Sequence, residues 1–192
     1  IEIDGLVLSN LADSQAVLSK RQKELGVLVL DLGGGTTNLT VLEEGDIIYT
    51  TILPIGASHI TNDLAIGLRI SIDLAEKLKI GYGSALPTEI DKKENIDLTK
   101  LGNGEEGEIS RRYLAEIIQA RLNEIFDLTN KELKKINRQG LLPAGIVMVG
   151  GGAKMPGLVD LAKERLGLPA QIGSPINVNG LVDRVEDPSF AV

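Results

Sequence analysis

The chain has 192 residues and a formal net charge of −7 at pH 7, with 43% hydrophobic and 24% charged residues. These values suit a globular protein of one or two domains with a substantial core, and the acidic balance argues against a nucleic-acid-binding surface. No cysteine is present, which excludes disulfides and thiolate metal sites, and a single histidine, His59, leaves no basis for a His-rich metal site or a Ser-His-Asp triad.

No apolar run approaches the ~20 residues that a membrane span requires, and no signal peptide is visible. The default compartment is therefore the cytoplasm. Only five aromatics (3 Tyr, 2 Phe) occur, which argues against stacked nucleobase recognition. The chain opens at Ile1-Glu2-Ile3 without an initiator methionine and stops at Asp187-Pro188-Ser189-Phe190-Ala191-Val192, where a helix begins. It reads as part of a longer protein.

In chain order, residues 10–19 read as a short helix with Leu11, Val17 and Leu18 apolar. Strands follow at 27–31, 37–43 and 46–53, with a turn at Glu44-Gly45, and their meander suggests an antiparallel patch. Pro54-Ile55-Gly56 breaks the pattern. A helix over 61–68 takes Thr61 as its N-cap, which places Asn62 and Asp63 in the first turn, where Asp63 suits the helix dipole. A second helix, over 71–79, takes Ser71 as its cap. Residues 81–108 mix glycines with charges and predict mobile loops with one or two short strands near 89–90 and 96–98. A long helix is expected from about 110 to 137, because Leu114, Ile117, Ile118, Leu122, Ile125, Leu128, Leu133 and Ile136 recur at helical spacing. Gly140 is its expected terminator, with Pro143 just beyond. A strand at 146–149, a helix at 158–166 and a strand near 170–172 complete the series.

This order predicts an α/β fold: a mixed sheet flanked by helices, with 57–140 inserted as a smaller α+β subdomain and a ligand cleft between the two parts.

Two glycine clusters carry the chemistry. The first, Asp31-Leu32-Gly33-Gly34-Gly35-Thr36-Thr37, sits between two strands. Consecutive glycines lose much backbone freedom on folding, so something must come close to that backbone, and a phosphate chain is the usual candidate. Bare N–H groups in a tight turn form an anion nest, and the Thr36 and Thr37 hydroxyls add donors. An aspartate at the strand end can hold Mg²⁺ through water. The second cluster, Gly150-Gly151-Gly152-Ala153-Lys154-Met155-Pro156-Gly157, follows a buried strand and precedes a helix. Its spacing matches neither a P-loop nor a dinucleotide fingerprint. Taken singly, either cluster is also compatible with a bulge or hairpin.

Strand-Asp31-Leu32-Gly33-Gly34-Gly35-Thr36-Thr37-strand resembles the second phosphate motif of the actin–hexokinase–chaperone ATPases, and the second cluster resembles their adenosine motif. Within that superfamily the chain is similar to the bacterial cell-division FtsA family. The specific marks are Pro54-Ile55-Gly56-Ala57-Ser58-His59-Ile60-Thr61-Asn62-Asp63-Leu64-Ala65-Ile66-Gly67-Leu68-Arg69 and Ala75-Glu76-Lys77-Leu78-Lys79, with Ile109-Ser110-Arg111-Arg112, Ala120-Arg121-Leu122 and Ile172-Gly173. The likeness covers nearly the whole chain.

The resemblance implies an actin-like, ribonuclease-H-type sheet and places the chain in the C-terminal half of the molecule. Residues 1–56 with 141–192 would be subdomain 2A, and 57–140 subdomain 2B. It implies ATP and Mg²⁺ as ligands. Asp31 would approach the metal through water, and Gly33, Gly34, Gly35, Thr36 and Thr37 would surround the phosphates. Gly150, Gly151, Gly152 and Ala153 would form the adenosine side, with Glu76 and Lys79 bracketing ribose and base. By spacing alone, that last pair equally reads as a solvated i,i+3 ion pair. Arg121 and Glu124 match positions that receive the C-terminal tail of FtsZ, and they equally fit an ordinary charged helix face. His59 reads as structural.

The implied function is an ATP-binding adaptor that forms head-to-tail filaments and tethers FtsZ to the inner face of the cell membrane through a C-terminal helix absent from this chain. At most it would be a weak ATPase, and the fragment alone inactive. The alternative is a PilM-like pilus-assembly ATPase that binds a partner peptide. A sugar kinase or phosphatase ranks last, since no sugar-site pattern or catalytic base is visible. Asn38 stands where the family usually has aspartate, and Ala57-Ser58 where it has Gly-Asp.

Overall fold

The structure is a computed structural model that describes residues 2, 5–101, 107–176 and 187–190. Its centre is a five-stranded sheet. β1 (Val27–Leu32), β2 (Thr37–Glu43) and β3 (Asp46–Leu53) form the antiparallel meander expected from the sequence. β6 (Ile146–Val149) lies parallel to β1, and β7 (Ala170–Ile172) parallel to β6. The sheet is therefore mixed, and β1 sits at its centre with an antiparallel neighbour on one side and a parallel one on the other.

Alternation along β1 divides the core, because successive strand side chains point to opposite faces. Leu28, Leu30 and Leu32 join the larger cluster beneath the helices α3 (Ala57–Leu68), α4 (Ile72–Tyr82), α5 (Arg111–Lys135) and α6 (Leu158–Leu166). Val27 and Val29 join a smaller cluster with Leu42, Val147, Val149, Val17 and Leu18. The helix α1 (Ser9–Val17) covers that second face. α5 buries Leu114, Ile118, Leu122, Ile125, Phe126 and Leu133. It is tied to the sheet where the Tyr49 hydroxyl donates to Glu132 over 2.7 Å.

Several boundaries differ from the expectation. The helix over 10–19 is two helices. α1 ends at Val17, and Ser19 caps α2 (Lys20–Leu25) in a reciprocal capping box with Gln22. α3 starts four residues before Thr61, at Ala57, with Gly56 as N-cap. Thr61 is consequently an interior residue. Asp63 lies beyond the first turn, where it pairs with Arg121 instead of the helix dipole. Ser71 does cap α4, its hydroxyl accepting from the Leu74 N–H.

Short strands β4 (Asn95–Asp97) and β5 (Glu108–Ser110) pair with each other, while 87–89 forms a single 3₁₀ turn in place of a strand. Residues 102–106 of the expected loop lie outside the described residues. Flanking parts are held in place: the Ala85 N–H donates to Pro156 O, and Ile90, Ile96 and Leu98 are buried. α5 ends at Lys135, ahead of Asn137 at φ 57°, so Gly140 belongs to the following turn and not to the cap. Of the helix expected at the C-terminal end, the described part is one 3₁₀ turn over Pro188–Phe190.

Candidate functional site

Because β1 and β6 run parallel side by side, both glycine turns leave the sheet at the same end. That is where ligands bind in open α/β sheets. The turns meet there. A Cβ added at Gly152 would stand 2.8 Å from Leu32 O, and one at Gly150 only 2.3 Å from Asp31 Oδ1. Gly150 also has φ +84°, so no other residue fits. Between the turns lies a cavity of about 440 Å³. Its lining includes Gly33, Gly34, Ala57, Ser58, Glu76, Lys79, Gly151, Gly152 and Lys154, with Leu32, Ile60, Ile80, Leu122, Ile125 and Met155 as an apolar wall.

The first turn is anchored through its carbonyls. Gly33 O accepts from the Ala57 N–H at 2.8 Å, and Gly34 O from the Ser58 N–H at 2.9 Å. These bonds satisfy two of the amide groups that a helix start leaves open. His59, at the third helical position, accepts from the Gly56 N–H through Nδ1 at 3.1 Å. The histidine therefore completes the cap of α3. Gly34, Gly35 and Thr36 form the exposed tip of the turn. Thr37 faces the other way: it is fully buried, and its hydroxyl donates to Ile55 O at 2.7 Å.

Of the second turn, Gly151 and Gly152 line the cavity, while Ala153 is buried in the large core. A Cβ at Gly151 would meet nothing within 4 Å. The Gly150 N–H donates to Pro188 O at 2.9 Å, and Lys154 pairs with Asp187, whose carboxylate also accepts from the Ser189 N–H and hydroxyl. The bond from Lys154, with those from Ser189, holds the Asp187 carboxyl at about 2. This clasp joins residues 33 positions apart, and nothing in the sequence pattern announces it.

Glu76 and Lys79 are paired at 2.7 Å on α4. Lys79 is nearly buried and also donates to Thr61 Oγ1 at 2.8 Å and Ala57 O at 3.2 Å. Three acceptors match the three N–H groups of an ammonium. Burial alone would raise the Glu76 carboxyl, but bonds from Lys79 and Thr61 hold it below its ordinary value. Thr61, expected as a cap, thus links α3 to both charged groups.

Asp31 lies on the α1 face and is buried. Burial pushes its carboxyl up, partly offset by the bond that Asn38 Nδ2 donates to Oδ2 at 2.8 Å. Asp13 on α1 is fully buried, and neither of its oxygens has a partner among the described residues. Burial, and then the neighbouring Asp31 charge, push it up to about 7. It lies one turn before Val17 on the buried face of α1, which it shares with Asn10 and Ser14. Arg121 and Glu124 do not line the cavity. Arg121 holds Asp63 through two bonds of 2.6 and 2.7 Å and also contacts Glu124, which joins α5 to α3.

Comparison with solved structures gives actin-fold neighbours. These include MreB5 of Spiroplasma citri bound to ADP (TM-score 0.69, 21% identity, 88% of this chain and 54% of that one). A PilM–PilN type IV pilus biogenesis complex aligns at TM-score 0.72 and 20% identity, over 98% of this chain and 50% of the other. Both show the fold. Among curated proteins, the cell division protein FtsA of Pseudomonas aeruginosa is 40% identical over 191 residues, covering 100% of this chain and 46% of that protein. The Escherichia coli K12 counterpart is 33% identical over 198 residues, covering 100% and 47%. The chain thus spans about half the length of the curated relatives it matches. The family model described as "Cell division protein FtsA" matches residues 28–192. On this match and these identities, the chain belongs to the FtsA family of cell division proteins.

Proposed function

We propose that this chain forms one wall of the ATP site of an actin-like, filament-forming cell-division protein that tethers FtsZ to the inner face of the membrane. The observation that carries this reading is the convergence of Gly33-Gly34 and Gly151-Gly152 on one cavity. The exposed tip at Gly34, Gly35 and Thr36 would take the phosphates, and the apolar wall with Glu76 would take the nucleoside. The MreB5 structures of Spiroplasma citri bound to ADP and to AMPPNP agree with that choice.

The donor set fits Mg²⁺. Asp31, at the end of β1 beside the first glycine turn, is a hard-oxygen donor of the kind Mg²⁺ takes. Asp31 would hold the ion through water, which would neutralise phosphate charge. Subdomain 2A would comprise 1–56 and 141–192, and 2B would comprise 57–140. Arg121 and Glu124 on 2B would receive the FtsZ tail, in exchange for part of their bonding to Asp63. Identities of 33–40% to FtsA proteins, against 20% to the pilus complex, favour this assignment over the PilM-like one.

Gly151→Val in the intact protein tests the site. The added side chain enters open space, so folding should be unaffected while Mg-ATP binding by calorimetry falls at least about ten-fold. Unchanged affinity would remove the cavity as the nucleotide site.

A further inference from the structure

We propose that the Ser58 hydroxyl donates to the phosphate held at the tip of the first glycine turn, and so sets how much negative charge this end of the cavity accepts. The inference rests on the nucleotide reading above and adds a residue to it. Ser58 lies in the first turn of α3 and lines the cavity beside Gly33 and Gly34. Its N–H donates to Gly34 O at 2.9 Å, which fixes its backbone to the turn. Its side chain stands over the same glycine: a Cβ added at Gly34 would lie 3.3 Å from Ser58 Oγ. A phosphate seated on the Gly34 tip therefore comes within hydrogen-bond reach of this hydroxyl.

The other polar side chains of the lining are committed. Lys79 has its three N–H groups taken by Glu76, Thr61 and Ala57 O. Glu76 is an acceptor already filled by Lys79 and Thr61. Lys154, on the second turn, pairs with Asp187. Thr37 belongs to the first glycine cluster, yet its hydroxyl goes to Ile55 O. Ser58 is exposed, and among the described residues its hydroxyl has no hydrogen-bond partner. It is the donor of this wall that a ligand can take without breaking an existing bond. Ala57-Ser58 also stands where the family usually has Gly-Asp. The wall thus carries a neutral donor in place of a carboxylate, which would repel phosphate.

The test uses the intact protein and calorimetric binding of Mg-AMPPNP. Ser58→Ala removes the donor and should weaken binding about ten-fold, the low end for a bond to a charged group. Ser58→Asp and Ser58→Asn are matched in size and differ in charge. The aspartate variant should bind at least about five-fold more weakly than the asparagine variant at about 0.05 M salt, and the gap should narrow at about 0.5 M. A purely structural role for Ser58 would not produce that salt dependence. The side chain is exposed and makes no bond, so all three variants should melt with the wild type. A Ser58→Ala affinity within about two-fold of wild type, or equal aspartate and asparagine variants at low salt, overturns the proposal and leaves the nucleotide site standing. A wild type that does not bind Mg-AMPPNP overturns both.

Discussion

The two faces of the central sheet are built on different terms. Beneath α3 to α6 every inward position of β1 is leucine, and the cluster extends through Phe126, Ile118 and Leu161, while the buried charge on that side, Lys79, has a full set of partners. On the α1 face the same strand reads Val27, Val29, Asp31, and that face also buries Asn38, Thr40, Asn10 and Asp13. Buried polar groups are costly unless bonded, and Asp13 has no bond. One face supplies stability and the other concentrates unbalanced charge beside the glycine turns. Charge of that kind, buried beside a cleft, is the pattern expected of a functional site.

The contrast can be broken from either side. The largest effect should come from Phe126→Ala, which empties a fully buried position in the leucine face and should cost ~3–5 kcal/mol. Denaturant unfolding measures it, and a loss below about 1 kcal/mol would mean the face is not the main source of stability. Asp13→Asn works in the opposite direction. The folded state keeps a proton on Asp13 up to about pH 7 that the unfolded chain releases near pH 4, so wild-type stability falls as pH rises through that window and levels off above it. The variant should lack that fall and be more stable than wild type at pH 8 by about 1–3 kcal/mol. A wild-type unfolding midpoint flat between pH 4.5 and 7.5 would show that Asp13 is ionised and compensated.

Asn38→Asp sharpens the comparison. It exchanges the donor to Asp31 for another carboxylate, and a cost of about 1–3 kcal/mol at pH 8 is expected, shrinking as the pH is lowered. Equal melting temperatures at pH 8 would show that the polar face tolerates more charge than described. At the low end is Arg121→Ala. Both Arg121 and Asp63 are about a quarter exposed, so losing this pair should cost at most about 1 kcal/mol, and the melt should record it as a small shift.

Much of this was legible in the residues. Strand alternation and glycine punctuation placed β1, β2, β3, β6 and β7 and the α5 and α6 helices, because apolar periodicity is what the core selects. Resemblance supplied what periodicity could not, the pairing of the two glycine turns. The start of α3 was missed because its N-cap is a glycine, its first two amides are held by carbonyls of a distant turn, and the side chain that closes the cap is a histidine, an uncommon capping residue. α2 was missed because a six-residue helix shows little periodicity, although Ser19 and Gln22 spell its capping box. The Lys154–Asp187 clasp and the bidentate Arg121–Asp63 pair depend on tertiary contact and have no local trace. Asp13 shares its helix face with Asn10 and Ser14, so no apolar pattern marked it, and only its burial next to Asp31 makes it informative.

Gly56 has a consequence for how this protein can vary. A methyl group there would stand 2.5 Å from Gly34 O and 2.6 Å from Gly33 O, where no heavy atom fits. The linker from β3 into α3 is Pro54, Ile55 and Gly56 alone, so its length is set by a contact with no slack. One residue more or fewer there would pull the helix off the carbonyls that start it. Insertions and deletions that natural variants accumulate in surface loops should therefore be absent between residues 53 and 57, whatever befalls the other connections.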